Sequence, residues 1–172
     1  KTYQAWNGVP ENLLKTNRTF NGFSYDDQTD NYTQDHYQFL YSHTFSDKIS
    51  ANSALHYTYG RGYYEEFKEG QKLENYGINP QIVGGTTIAR SDLVRRRWLD
   101  NRFYGLTYSL NYTPSKVLTI TLGGAYNEYD GDHFGEVIRG QFIPIANTIS
   151  PYYKGNGFKT DFNTYAKADL EL

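Results

Sequence analysis

The run RRRW at residues 95–98 sets three guanidinium groups beside an indole. Guanidinium forks match the geometry of carboxylates and phosphates, and an aromatic face stacks on planar or sugar-like groups. Arg95, Arg96, Arg97 and Trp98, together with Tyr63 and Tyr64 of GRGYYEEFKEG, are therefore candidates to catch an anionic ligand. The same arginines can instead pair with Glu65, Glu66 and Asp100 and hold a loop in shape. A second group lies in NEYDGDHFGE, where Asp130, Asp132 and His133 have donor atoms suited to a divalent metal. No carboxylate stands at the twelfth position of a calcium loop that starts at Asp130, since Gln141 is there. A glycine-rich turn capped by acids accounts for the same residues, so no metal is expected.

Other chemistry is thinner. His36, His43 and His56 come from neighbouring strands, and of these His36 and His56, on the polar rows, read as hydrogen-bonding wall residues rather than ligands. Glu65 or Glu66 with Asp130 would make a glycosidase pair only if something fixed their separation at about 5–10 Å, and no pattern does so. No catalysis and no cofactor is expected. Cysteine is absent, which excludes thiol nucleophiles, disulfides and thiolate metal sites. The net charge of −2 carries no basic stripe, so nucleic acid is not an expected partner. The segment FIPIANTISPYYKGNGF, with two prolines and little charge, either closes over a ligand or packs down against the rest of the chain.

The elements that must carry these residues are strands. Of 172 residues 17 % are aromatic, 18 of them Tyr, in a chain that is otherwise rich in Thr, Asn and Gly. Such residues favour a pleated surface, which excludes an ordinary helical protein. Alternation marks five strands, at about 32–45, 49–59, 102–112, 117–129 and 161–172. In the first, Tyr37, Phe39, Tyr41 and Phe45 oppose His36, Gln38, Ser42 and Thr44. In the second, Ile49, Leu55, Tyr57 and Tyr59 oppose Ser50, Asn52, His56 and Thr58. The fifth sets Phe162, Ala166, Ala168 and Leu170 against Asp161, Asn163, Lys167 and Asp169, and a packed core would not accept that charged row unpaired.

Connections alternate in length. SDK (46–48) and TPSK (113–116) are tight turns, whereas 60–101 and 130–160 read as long loops, as does 1–31. In an up-and-down meander every long loop then lies on one side. Transmembrane β-barrels have this layout, with apolar-out, polar-in strands of about 9–11 residues. The expected fold is thus all-β: an antiparallel meander of about five strands, cut from a larger barrel wall. Tyr57, Tyr59, Tyr104 and Tyr126 would form the outer aromatic girdle, Phe45 and Tyr112 the inner one. Five strands cannot close a barrel. The start at Lys1, the lack of methionine and the end at DLEL without a turn all predict a fragment. The competing expectation is a soluble β-sandwich that binds carbohydrate or protein through its loops.

Three segments carry a resemblance. NGFSYDDQTDNYTQDHYQFLYSHTFSDKISANSALHYTYGRGYYEEFKEG, DLVRRRWLDNRFYGLTYSLNY and TLGGAYNEYDGDHFGEVI, in this order, resemble the barrel region of a TonB-dependent outer membrane receptor of the Bacteroides type. KTYQAWNGVPE at the start resembles a stretch that leads from a strand into an external loop. The resemblance implies a barrel of about twenty-two strands around an N-terminal plug. It also implies uptake of a scarce nutrient (ferric siderophore, haem, cobalamin or glycan) across the bacterial outer membrane. The implied partners are outer membrane lipid, the remaining barrel and plug, a small nutrient ligand, and TonB through an N-terminal part not recognisable in these residues. Isolated, such a segment is expected to self-associate through its apolar rows and open edges. Because RRRW belongs to the resemblance as a whole, it suits building the loop better than selecting one ligand.

Overall fold

A computed structural model describes residues 15–17, 25–148 and 150–171. Seven strands follow one another: β1 Asp30–Ser46, β2 Ile49–Lys72, β3 Gln81–Val83, β4 Thr86–Ile88, β5 Arg90–Ser115, β6 Leu118–Gly140 and β7 Tyr153–Leu170. Five of them form one antiparallel sheet in the order β1-β2-β5-β6-β7, an up-and-down meander. β3 and β4 form a separate small hairpin. Its Gly84-Gly85 turn has φ of 56° and 80°, the left-handed pair that a two-residue hairpin loop requires.

The all-β meander expected from alternation is present, but its strands run well past the expected ends. β2 continues through 60–72 and β5 begins at Arg90, so the expected loop 60–101 shrinks to 73–89. The expected loop 130–160 likewise shrinks to 141–152. The cause lies in pairing. Glu65 faces Arg96 and Glu66 faces Arg95 across the β2–β5 ladder, so charges that read as loop are satisfied within the sheet. Of the expected loop 1–31, Asp30 and Asn31 belong to β1 and residues 25–29 precede it. KTYQAWNGVPE and Leu172 lie outside the described residues. The turns shorten to Asp47-Lys48 and Lys116-Val117.

Register fixes two faces. On one, Leu55, Leu106, Tyr126 and Phe162 stand side by side, as do Ala51, Leu110, Leu122 and Ala166. On the other stand His56, Gly105, Asn127 and Asp161. The sheet is a single layer over most of its area, and both faces are open. Phe39, Leu55, Leu122 and Phe162 are all exposed, and β1 is exposed along its whole length. Among the described residues the only packed cluster is at the far end of the polar face. There Leu73, Tyr76, Ile78, Leu93 and Val137 are buried, with Ile143 and Tyr152 against them. So few buried side chains leave the apolar face without the covering that stability in water needs.

Several tyrosines lie across glycines of the next strand, where any side chain would collide. Tyr165 covers Gly123, and Tyr108 covers Gly124 on the opposite face. Gly105 leaves a gap through which His56 and Asn127, two strands apart, hydrogen-bond at 2.9 Å. A Cβ there would strike the Tyr126 carbonyl and the Asn127 side chain. Gly105→Val is therefore expected to cost about 1–3 kcal/mol, because the carbonyl is fixed in the ladder. The check is a lowered thermal midpoint of the complete protein.

Candidate functional site

Strand geometry decides which candidates meet. Successive side chains point to opposite faces, so RRRW cannot act as a single cluster. Arg96 and Trp98 share the apolar face's upper extension with Tyr63, which lies opposite Trp98. Arg95 and Arg97 share the polar face with Tyr64, which lies opposite Arg97. The six candidates thus form two sets of three, back to back through the sheet.

On the first face Arg96 pairs with Glu65 at 2.7 Å, and its guanidinium sits 4.1 Å over the Tyr63 ring. Tyr63 meets Trp98 at 4.6 Å, and the Trp98 Nε1–H donates to Glu136 at 2.9 Å. Tyr25 donates to Glu65 at 2.6 Å and rests beside Phe67 and Arg139. Burial alone would raise the Glu65 carboxyl. Hydrogen bonds from Tyr25 and Arg96 outweigh it and hold the group below the ordinary carboxylate range.

On the second face Arg95 donates to Glu66 at 2.7 Å and to the Tyr76 hydroxyl at 3.2 Å. Lys68 also reaches Glu66, at 2.8 Å. Burial works to raise Glu66 as well, but Lys68 and Arg95 bring it below its usual value. Tyr76 and Tyr152 cross edge-on at 4.7 Å above this pair. A hydrogen bond with Tyr153 raises Arg97 above its ordinary value, and Arg97 is exposed. Of the segment FIPIANTISPYYKGNGF, Ile143 and Tyr152 pack down here.

The pairing reading of the arginines therefore describes Arg95 and Arg96. Asp100 instead lies between Arg61, at 3.4 Å, and Arg102, at 3.9 Å.

The metal candidates separate in the same way. Asp130 and Asp132 sit on the apolar face's extension, where Asn156 donates to both at 2.7 and 3.0 Å. That bond, aided by Lys154, lowers the Asp132 carboxyl. His133 points to the opposite face, 3.3 Å from the Tyr129 hydroxyl. Among the described residues no three His, Cys, Asp or Glu side chains are grouped to hold an ion.

The histidines likewise stay apart. His36 bonds Thr58 at 2.9 Å, His56 bonds Asn127, and His43 stacks in the apolar row between Tyr41 and Phe45. Arg61, Glu136, Tyr76 and Tyr152 were not singled out from the sequence. Continuing the odd-even count of β2 past Gly60 would have placed Arg61 on one face with Tyr63.

The class these features define is an all-β protein built on one open five-stranded antiparallel sheet. Compared with protein-family models, curated proteins and solved structures, the chain matches none.

Proposed function

We propose that this chain is a stretch of barrel wall from a TonB-dependent receptor of the bacterial outer membrane. The receptor takes up a scarce nutrient (ferric siderophore, haem, cobalamin or glycan), and the chain performs no catalysis itself. One observation carries the barrel reading: the apolar face turns charged on successive rungs of three neighbouring strands, at Glu128 on β6, Arg102 on β5 and Arg61 on β2. Tyr57 and Tyr104 stand side by side at the upper edge of the apolar rows. Just above them are Arg102 and Asp130, then Arg61, Asp100 and Asp132. Below them the face on β2, β5 and β6 is Leu, Ile, Ala and Tyr, broken by Ser53 and Gly124, down to Ile49, Tyr112 and Ile120. From Ile49 to Tyr57 or Tyr59, at about 3.3 Å per residue and a tilt of about 40°, the band is about 20–25 Å tall. Outer membrane barrels carry a band of about 25 Å. Among the described residues no helix is long and apolar enough to cross a membrane, which has no bearing on strands.

The remaining parts follow. Lipid covers the Leu, Ile and Tyr rows. The free edges of β1 and β7 continue into the rest of the barrel. A plug and water border the face of His36, His56, Asn127 and Lys167. TonB contacts the receptor through a separate N-terminal part. Of the ligand candidates, Arg97 and Tyr64 look into the lumen, whereas Tyr63, Arg96 and Trp98 look outward. The receptor assignment, within barrels, rests on the resemblance of the motifs given above.

The test uses the absence of native cysteine in this chain. Spin labels placed singly at Ala54, Leu55, Tyr57 and Thr58 of the membrane-embedded receptor should alternate. Leu55 and Tyr57 should be open to oxygen dissolved in lipid, and Ala54 and Thr58 to a water-soluble nickel chelate. Labels at Leu55 and Tyr57 closed to both reagents would replace the barrel with a soluble sandwich. Growth of a receptor-deletion strain on single iron, cobalamin or glycan sources would identify the nutrient.

A further inference from the structure

The lipid-side face carries a second aromatic row, well above the first. Counting up from Tyr57 and Tyr104, two mixed-charge rows intervene before Tyr63, Trp98 and Phe134 line up across β2, β5 and β6. Trp98 lies 4.6 Å from Tyr63 and 5.8 Å from Phe134, parallel to the latter within 9°. The Arg61 guanidinium sits 5.3 Å over the Trp98 ring. Asn31 and Thr33 of β1 complete a shallow recess of about 690 Å³. Arg61 is half exposed, and both β1 residues are exposed.

Height decides what this row meets. Six residues separate Tyr57 from Tyr63, about 20 Å along the strand and about 15 Å in height at the tilt of a barrel strand. A phospholipid headgroup layer adds only about 5–8 Å beyond the hydrocarbon. The upper row therefore stands clear of phospholipid heads, on the side of the wall that continues directly from the lipid-facing band. Its chemistry is not that of bare solvent exposure. Aromatic faces, an amide, a hydroxyl and a guanidinium border one recess, and this set stacks on sugar rings and bonds their hydroxyls. The rows beneath interleave Arg61 and Arg102 with Asp100, Asp130 and Asp132, so no single sign of charge dominates.

We propose that this recess binds the saccharide headgroup of an outer-leaflet glycolipid. A sugar ring rests on the side of Tyr63 away from Arg96, against the stacked Trp98 and Arg61, and its hydroxyls bond Asn31, Thr33 and Arg61. The inference rests on the barrel reading above.

The test is the glycolipid that stays with the complete receptor when it is extracted from its own membrane in mild detergent, quantified by native mass spectrometry alongside phospholipid. Trp98→Ala combined with Tyr63→Ala should lower retained glycolipid at least fivefold and leave phospholipid unchanged. Trp98→Phe alone should keep most of it. Unchanged glycolipid in the double variant overturns the inference, and so does equal loss of both lipids. A protein held in fixed ratio by the wild type and lost from the variant, with glycolipid unchanged, overturns it too. The spin label at Leu55 separates the two readings. If it stays open to oxygen in lipid while glycolipid is unaffected, the barrel stands and only this inference falls.

Discussion

Leu122→Arg is expected to cost about 2–4 kcal/mol of stability in a bilayer, the penalty of a guanidinium at the membrane midplane. Leu122 stands beside Leu110 and Ala166, and it is 48 % exposed with no covering layer of protein. On β6 it lies four residues above Leu118, at the lower turn, and six below Glu128, at the start of the charged rows. No opposite charge is within its reach on this face. Leu118→Arg should cost only about 0–1 kcal/mol, because its side chain can extend into the interface beside the Lys116 turn. Thr107→Arg, on the polar face at a similar height, should also cost no more than about 1 kcal/mol, since its charge stays in water. The measurement is the denaturant midpoint of the reconstituted receptor for the three variants. A depth gradient on one face and none on the other is the signature of lipid. Equal penalties at Leu118 and Leu122 would instead mark the shared interior of a sandwich and remove the barrel reading.

The strand pattern was legible between Ile49 and Tyr59 because the residues there sort cleanly into apolar and polar. The same two-residue period runs on through Arg61, Tyr63, Glu65 and Phe67, but charge hides it from a criterion based on hydrophobicity. Only the partner strand reveals that Glu65 is answered by Arg96 and Tyr63 by Trp98. Hence the sheet was foreseen and the height of its upper part was not. The same oversight made RRRW look like one binding cluster. Once 94–100 is a strand, its guanidinium groups must alternate, and the three cations take separate tasks.

The packing of Leu73, Tyr76 and Ile78 against Ile143 and Tyr152 had no comparable signal. Leu73, Tyr76 and Ile78 fit neither the strand period nor a long helix, and their partners Leu93, Val137 and Tyr152 lie up to about eighty residues away. Contacts at such separation follow from register, which the letters alone do not give. The two readings of 142–158, closing over a ligand or packing down, were separated only when Ile143 and Tyr152 were placed against that cluster.

The pair Glu66–Arg95 predicts how that packed end responds to mutation and acid. The Glu66 side chain is 8 % exposed and that of Arg95 21 %, and Tyr76 and Tyr152 close over them. Removing one partner of a buried pair leaves an uncompensated charge, at about 3–5 kcal/mol. Arg95→Ala should fall near the lower figure, about 3 kcal/mol, because Lys68 still reaches Glu66. The loss should be local. A spin label on exposed Asn75, in the turn that carries Leu73 and Tyr76, should become mobile while labels in the apolar band stay unchanged. The pH dependence follows from the direction of the shift. Glu66 is held below the 4.5 of a free carboxyl, so its contribution is complete at neutral pH. The contribution falls away as pH drops below about 4 toward the folded-state value. The Asn75 label should therefore be immobile at pH 7 and loosen in acid, reversibly. Glu66→Gln should lose the acid dependence and leave the label partly mobile at every pH, since the buried Arg95 cation then has no counter-charge. A label that loosened as the pH was raised would show that the ion pair does not hold this end of the sheet.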